Sequence, residues 1–267
     1  MLTAKRYFKK NSHNGFFKAL AGFGRALNRL YENRNHDIYS NGEMTVIKKI
    51  SRTCPSVIID GGANVGDYSR LVNSIIPDCK IYAFEPVEAT FKKLLLNTKD
   101  IVNIVPIKKG LFKDNCFREI KLFQSNEHSS IFDIQGLTNG GGQNGKELIQ
   151  LIRGDYFLQE NSISSVDFLK LDIEGAEFDA LHGFSESIKA GKFKAIQFEY
   201  GYINITTKNL LIDHYQFFES NGYIVGKIFP KIVEFRKYSF LNEDFIGPNF
   251  LAVKASESDL INLLSKK

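Results

Sequence analysis

Tryptophan is absent from this chain of 267 residues, methionine occurs twice, cysteine three times and proline six times. Each scarcity excludes something. Cys54, Cys79 and Cys116 are odd in number and lack C-x-x-C spacing, which argues against a disulfide framework or a zinc site and predicts a reducing, cytoplasmic setting. No apolar run approaches the ~18 residues of a membrane span, and the N-terminus lacks an apolar core followed by a small-residue cleavage site. Asn204-Ile205-Thr206 spells a glycosylation sequon that such a setting would leave unused. No internal repeat is evident. Phenylalanine is plentiful, with 23 copies, so a Phe-packed interior is expected. Hydrophobic content of 43% and charged content of 24% belong to an ordinary globular chain. The length suits one α/β domain with extensions, two small domains being the alternative.

Charge is unevenly placed. Residues 1–34 hold eight Lys and Arg against Glu32 alone, a net +7, whereas the whole chain is +5 and the remainder therefore −2. Phe16, Leu20, Phe23, Leu27 and Leu30 recur at helical spacing, with Lys18, Arg25 and Arg29 off that stripe. Residues 1–40 thus read as a basic amphipathic helical arm. It would dock on the body, pair with a second copy in a homodimer, or lie as a peripheral contact on the anionic inner face of a membrane. Nucleic acid is not an expected partner, since the basic residues stop at the arm and no binding motif follows. Residues 41–256 read as the main domain and 257–267 as a C-terminal tail.

The most informative stretch is V-I-I-D-G-G-A-N-V-G at 57–66, followed by A-F-E-P at 83–86. A β-branched run enters a glycine turn, an amphipathic helix follows over 67–76, and a second strand, 80–84, delivers Glu85 at its carboxyl end. This is the layout of a nucleoside-binding βαβ unit, in which glycines let the backbone approach a ligand and the acid accepts from ribose hydroxyls. A dinucleotide fingerprint wants G-x-G-x-x-G. Here Asn64 stands where a middle glycine would, and the spacing to Gly66 is too tight for a pyrophosphate loop. It suits a loop that holds the methionine tail of S-adenosylmethionine. The bland alternative is a strand-to-helix turn with incidental glycines, and a nicotinamide-linked oxidoreductase or epimerase is the rival enzyme class. A near match to a P-loop, G-x-x-x-x-G-K at 140–146, fails because Glu147 stands where Ser or Thr should bind magnesium.

Further along, helices are expected over 44–53 and 87–97 and strands over 102–107, 117–124 and 147–153, with Gly110 and Leu111 at the end of the third strand. A Gly-rich mobile loop is expected from Gly136 to Gly145. Asp155 reads as the cap of a short helix. The strand 166–172 ends in Asp172, with Glu174, Gly175 and Glu177 opening a helix, and the strand 193–198 ends in Glu199. A helix over 207–220 and strands at 222–225 and 249–253 complete the chain. Strands alternating with helices imply a mostly parallel sheet covered on both faces, here of seven strands with an antiparallel C-terminal hairpin at its edge.

With D-G-G-A-N-V-G, A-F-E-P and L-K-L-D-I-E-G-A-E at 169–177 in that order, the chain resembles the FkbM family of S-adenosylmethionine-dependent methyltransferases over roughly residues 40–255. N-G-E at 41–43, Ser129-Ser130, Asp155 and Gly183 also match. The resemblance implies a Rossmann-like class I methyltransferase fold and methylation of hydroxyl groups, often on sugars or polyketides. It implies that Gly62, Ala63, Asn64 and Gly66 wrap the methionine portion of the cofactor and that Asp60 stands near its amino group, directly or through water. It further implies that Glu85 holds the ribose, that Gly110 and Leu111 border the adenine, and that Asp172 lies beside the methyl group.

Methyl transfer to an alcohol is an in-line displacement, so an enzyme must align the acceptor oxygen and take its proton. Asp172 and Glu199 end strands adjacent in order and should face one cleft. His128, beside Ser129 and Ser130, is the other attractive base. Each has a structural alternative: a helix cap for Asp172, complementation of a helix N-terminus for Glu174 and Glu177, and simple exposure for His128. Tyr200 and Tyr202 could stack on a sugar or pack in the core. Clustered carboxylates could admit a divalent metal, though none is predicted. The expected acceptor is a saccharide or glycoconjugate precursor. A catalytically silent fold that binds the cofactor or a partner is the third reading.

Overall fold

The computed structural model describes residues 2–123, 130–132 and 143–267. Strands β1 (Val57–Gly61), β2 (Lys80–Phe84) and β3 (Ile104–Ile107) alternate with helices α4 (Asp67–Ile75) and α5 (Glu88–Thr98), after three N-terminal helices, α1 (Leu2–Lys10), α2 (Gly15–Tyr31) and α3 (Glu43–Ile50). Strands β4 (Gly110–Phe112), β5 (Cys116–Phe123) and β6 (Gln143–Arg153) follow. Then come α6 (Gly154–Glu160), β7 (Val166–Leu171), α7 (Glu177–Gly183), α8 (Ser185–Lys189) and β8 (Phe193–Glu199). The chain finishes with α9 (Asn204–Thr207), α10 (Leu211–Ser220), β9 (Tyr223–Ile228), β10 (Val233–Phe235), β11 (Asn249–Lys254) and α11 (Ser258–Ser265).

The main sheet runs β10-β9-β11-β8-β7-β1-β2-β3, so it has eight strands where seven were expected; the addition is the short β10. The strands from β8 to β3 are parallel, and β11 is antiparallel to both β8 and β9. The C-terminal pair is therefore antiparallel as the chain order suggested, but β11 lies inside the sheet, between β8 and β9, and the edge belongs to β10. The order reverses between β1 and β7, the switch point at which open α/β sheets bind ligands.

Alternation along the strands feeds two cores, as a sheet covered on both faces requires. Ile58, Phe168, Ala195 and Leu251 pack with Val46, Ile47, Val72 and Leu94 of the helices on one face. Ile59, Leu169, Ile196 and Phe198 pack with Phe157, Leu181, Phe184 and Phe218 on the other. The segment 257–267 holds α11, whose Leu260 and Leu264 are buried in the first core.

A second sheet, β4-β6-β5, stands apart. Gly110 and Leu111 belong to it and not to the end of the third strand. The chain leaves β3 at Ile107, and Gly110 pairs with Leu151 so closely that a Cβ would overlap that side chain. Gly145 and Lys146 lie within β6, while most of the expected Gly-rich loop falls outside the described residues. Asp155 does not cap its own helix: its carboxylate accepts from the N–H groups of Glu186 (3.1 Å) and Ser187 (2.9 Å) in the first turn of α8. The helix expected over 207–220 is two helices, broken where Lys208 takes a left-handed φ of 60°. The sequon is closed off, since Asn204 is buried and its Oδ1 accepts from the Gly201 N–H at 2.9 Å.

Candidate active site

The turn after β1 is the first part of the site. Gly62 (φ 85°), Asn64 (49°) and Gly66 (94°) all occupy the left-handed region, which asparagine tolerates better than most residues. The N–H groups of Gly62 and Ala63 donate to the Phe84 carbonyl at 3.1 and 2.8 Å, tying the turn to the end of β2. A Cβ on Gly62 would overlap the carbonyl oxygen of Asp172, so the turn packs directly on the loop that follows β7. Gly62, Ala63, Asn64 and Val65 line a cavity of about 760 Å³, large enough for a cofactor and an acceptor together. Gly66 is not on its wall; it opens α4 and packs against Leu94 and Thr98.

Glu85, Gly110 and Leu111 line the same cavity as that turn. Glu85 is 7% exposed, accepts from the Val87 N–H at 2.8 Å, and has its pKa pushed up to about 7 by burial. Asp60 is fully buried behind the wall. Its Oδ2 accepts from Ser69 Oγ at 2.6 Å, its Oδ1 has no partner among the described residues, and burial raises its pKa. Contact through a water is the form that its expected role would take.

A further part of the cavity lining is built on β7 and β8, which are adjacent and parallel, with Leu171 in register with Phe198. Asp172 and Glu199 follow that pair, and both line the cavity. Asp172 Oδ2 accepts from the buried Lys170 Nζ at 2.8 Å. Burial opposes the lysine charge, but the carboxylates of Asp172, Glu43 and Asp60 outweigh it and raise the Lys170 pKa. Its ammonium also lies 4.5 Å from the centre of the ring of Tyr68, a cavity-lining residue whose buried hydroxyl has no partner among the described residues. The N-G-E segment explains itself here. Glu43 accepts from Asn41 Nδ2 (2.6 Å), Gln197 Nε2 (2.9 Å) and Asn249 Nδ2 (3.0 Å), which fastens α3 to the ends of β8 and β11.

Glu199 has its pKa raised by burial first and then by Asp172, Glu174 and Glu177, although a fifth of its side chain (21%) still reaches solvent. His36 Nδ1 stands 3.7 Å from Glu199 Oε1. Glu177 serves the loop: its Oε1 accepts from the N–H groups of Ile173 (2.9 Å) and Gly175 (3.2 Å), and burial pushes its pKa up to about 7. Helix α7 begins only at Glu177, so Glu174 (φ 53°) lies in the preceding loop, on the cavity wall. Tyr200 is buried, with its hydroxyl donating to Glu243 at 2.6 Å and its ring stacked on Phe245; it and Tyr202 both line the cavity. His128 and Ser129 lie outside the described residues. Ser130 Oγ donates to the Glu174 carbonyl at 2.7 Å. Among the described residues, no group of three or more His, Cys, Asp or Glu is arranged to hold a metal ion.

Sequence reasoning missed Lys170, Tyr68, Arg34, His36 and the segment 246–249, all on the cavity wall. Lys170 carried a signal, a cation in the middle of an apolar strand. Arg34 and His36 carried none. They reach the wall because the neighbouring Asn33 is buried and its Nδ2 donates to the carbonyls of Asn41 (2.7 Å) and Ile228 (3.0 Å).

The profile of the methyltransferase FkbM domain matches residues 60–225. The chain belongs to the FkbM methyltransferase family. Among curated proteins, it is 22% identical over 166 residues to the hexuronic acid methyltransferase AglP of Haloferax volcanii, covering 60% of this chain and 64% of that protein. It is 24% identical over 148 residues to Methyltransferase 1 of Beauveria bassiana, covering 49% and 59%. The matches thus span less than two thirds of each curated relative. Among solved structures, an FkbM methyltransferase from Methylobacillus flagellatus aligns at TM-score 0.48 and 16% identity, over 74% of this chain and 44% of that one. Membership in the family carries S-adenosylmethionine as cofactor, and the residues present fit it. A backbone turn open to a ligand, a buried acid at the end of β2, and the Gly110-Leu111 strand lie along one cavity.

Proposed function

We propose that this protein transfers a methyl group from S-adenosylmethionine to a hydroxyl of a saccharide-related acceptor. One observation carries the reading: Asp172 and Glu199 converge on the cavity that also holds the glycine turn and Glu85. The similarity to a hexuronic acid methyltransferase supports the acceptor class.

When bound, S-adenosylmethionine supplies a methyl group on a cationic sulfur, already activated for displacement. Residues 62–65 hold its methionine portion, Glu85 accepts from the ribose hydroxyls, and Gly110 and Leu111 border the adenine. Asp172, fixed by Lys170, orients the acceptor hydroxyl. Glu199 takes the hydroxyl proton as the new O–C bond forms and the S–C bond breaks. Burial and the neighbouring carboxylates raise its pKa, which makes it a stronger proton acceptor than an exposed carboxylate, and His36 stands close enough to exchange that proton with solvent.

Calorimetric titration with S-adenosylhomocysteine and, separately, with NADH tests the cofactor. The first should bind and the second should not. Glu85→Ala should weaken binding about a hundredfold, since hydrogen bonds to a charged acceptor contribute ~1.5–3 kcal/mol each. Binding of NADH alone would overturn the reading. Glu199→Gln should keep S-adenosylhomocysteine affinity while methyl transfer to hexuronate and neutral glycosides, read by mass spectrometry, falls roughly 10²- to 10⁴-fold. Cofactor binding with no methylated product from any hydroxyl acceptor would favour the silent fold.

A further inference from the structure

The N-terminal arm combines three properties. Helix α2 has no buried residue, and Phe16, Leu20, Phe23, Leu27 and Leu30 of its apolar stripe are between 50% and 78% exposed. Tyr7 and Phe8 of α1 are also exposed, and Phe8 meets Phe17 edge-on at 5.8 Å between ring centres. Seven Lys and Arg and no Asp or Glu occur in residues 1–31. The root of the arm, by contrast, is firmly anchored. Glu32 pairs with the buried Lys227 at 2.8 Å and with Arg236 at 3.5 Å. Just beyond it, Arg34 and His36 line the cavity.

A helical stripe at this spacing would suit either a partner helix or a bilayer, and charge decides between them. Two copies laid stripe to stripe would bring fourteen cations together with no anion to offset them. An anionic lipid surface offers apolar depth for the aromatic face and opposite charge for its flanks. We propose that α1 and α2 seat this protein on an anionic bilayer surface, with the mouth of the cavity held beside that surface through the anchored root. A second exposed apolar pair, Phe240 and Leu241, precedes the cavity-lining segment 246–249 in the chain and gives the body an apolar surface of its own. Hydroxyl-bearing headgroups would then meet the cavity without leaving the membrane plane.

Vesicle binding by the arm does not depend on methyl transfer, so it can be tested separately from the proposed chemistry. The full chain should co-sediment with vesicles of equal parts phosphatidylglycerol and phosphatidylcholine, but not with phosphatidylcholine alone, and added salt should release it. Phe16→Glu with Phe23→Glu, and separately Lys18→Glu with Arg25→Glu and Arg29→Glu, should each lower the partition coefficient about tenfold or more. S-adenosylhomocysteine affinity should stay unchanged in both variants, since none of these residues lines the cavity. Wild-type protein left in the supernatant with the anionic vesicles would overturn the proposal. So would a stable dimer in solution that the Phe16→Glu, Phe23→Glu variant dissociates.

Discussion

The two walls of the cavity are made in different ways. The cofactor wall is mostly backbone from one short stretch, a turn whose shape is set by Gly62 and Asn64 and whose N–H groups are tied to Phe84. The lining around Asp172 and Glu199 is made of side chains from segments far apart in sequence, held by a buried charge network around Lys170 and Glu43. The first tolerates almost any side chain that leaves the backbone path alone. The second depends on each charge having its counterpart.

Substitutions can break this contrast in order of expected effect. Gly62→Val places a β-branched side chain at φ 85° against the Asp172 carbonyl, so the fold should lose more than ~4 kcal/mol or not form, as urea unfolding or soluble yield would report. A stable, cofactor-binding Gly62→Val protein would mean that the turn is not the rigid part. Lys170→Met strands Asp172, Asp60 and Glu43 near one another without their shared cation. It should cost ~3–5 kcal/mol at pH 8 and less at pH 5, where Asp60, already raised by burial, can take up a proton instead. S-adenosylhomocysteine binding to the folded fraction should change far less, which would separate the two walls energetically.

The smallest effect is a pH dependence of the free protein. Glu85 and Glu177 have pKa values pushed up to about 7 in the fold, so the folded state keeps protons that the unfolded chain has released. Stability should therefore fall as pH rises from 6 to 8, by about 1 kcal/mol for each group, and level off above that. Glu32, Asp167 and Glu243 have lowered values and act below about pH 4.5, outside this window. Buried His214, pushed down to about 4, partly offsets the fall between pH 6 and 7, while the raised Asp60 and Glu199 add to it. A melting temperature that rises between pH 6 and 8 would contradict the burial of both acids.

Legibility in the sequence divides along the same line. The βαβ unit could be read because its signals are local: a β-branched run, a glycine turn, an acid at a strand end. Asp172 and Glu199 could be paired because strands consecutive in an alternating pattern tend to be neighbours. Arg34 and His36 could not be read, because only the burial of Asn33 and the clamp on Glu32 carry them to the cavity. The role of Asp155 was misjudged for a similar reason. Its own helix was the local candidate, and a helix three decades along the chain was the actual partner. The position of β11 likewise depended on a choice between two antiparallel arrangements that hydrophobic pattern alone does not distinguish.

That insertion of β11 bears on how the molecule is made. On a ribosome, β8 and the β9–β10 hairpin emerge well before residues 249–254, yet among the main-sheet strands nothing but β11 joins them. Until it arrives, β8 and β9 each present an open strand edge, and the segment 246–249 has not taken its place on the cavity wall. The parallel half of the sheet can assemble before residues 249–254 have emerged; the remainder closes only after they do. For that interval the nascent protein is exposed to edge-to-edge pairing with its neighbours on the same message.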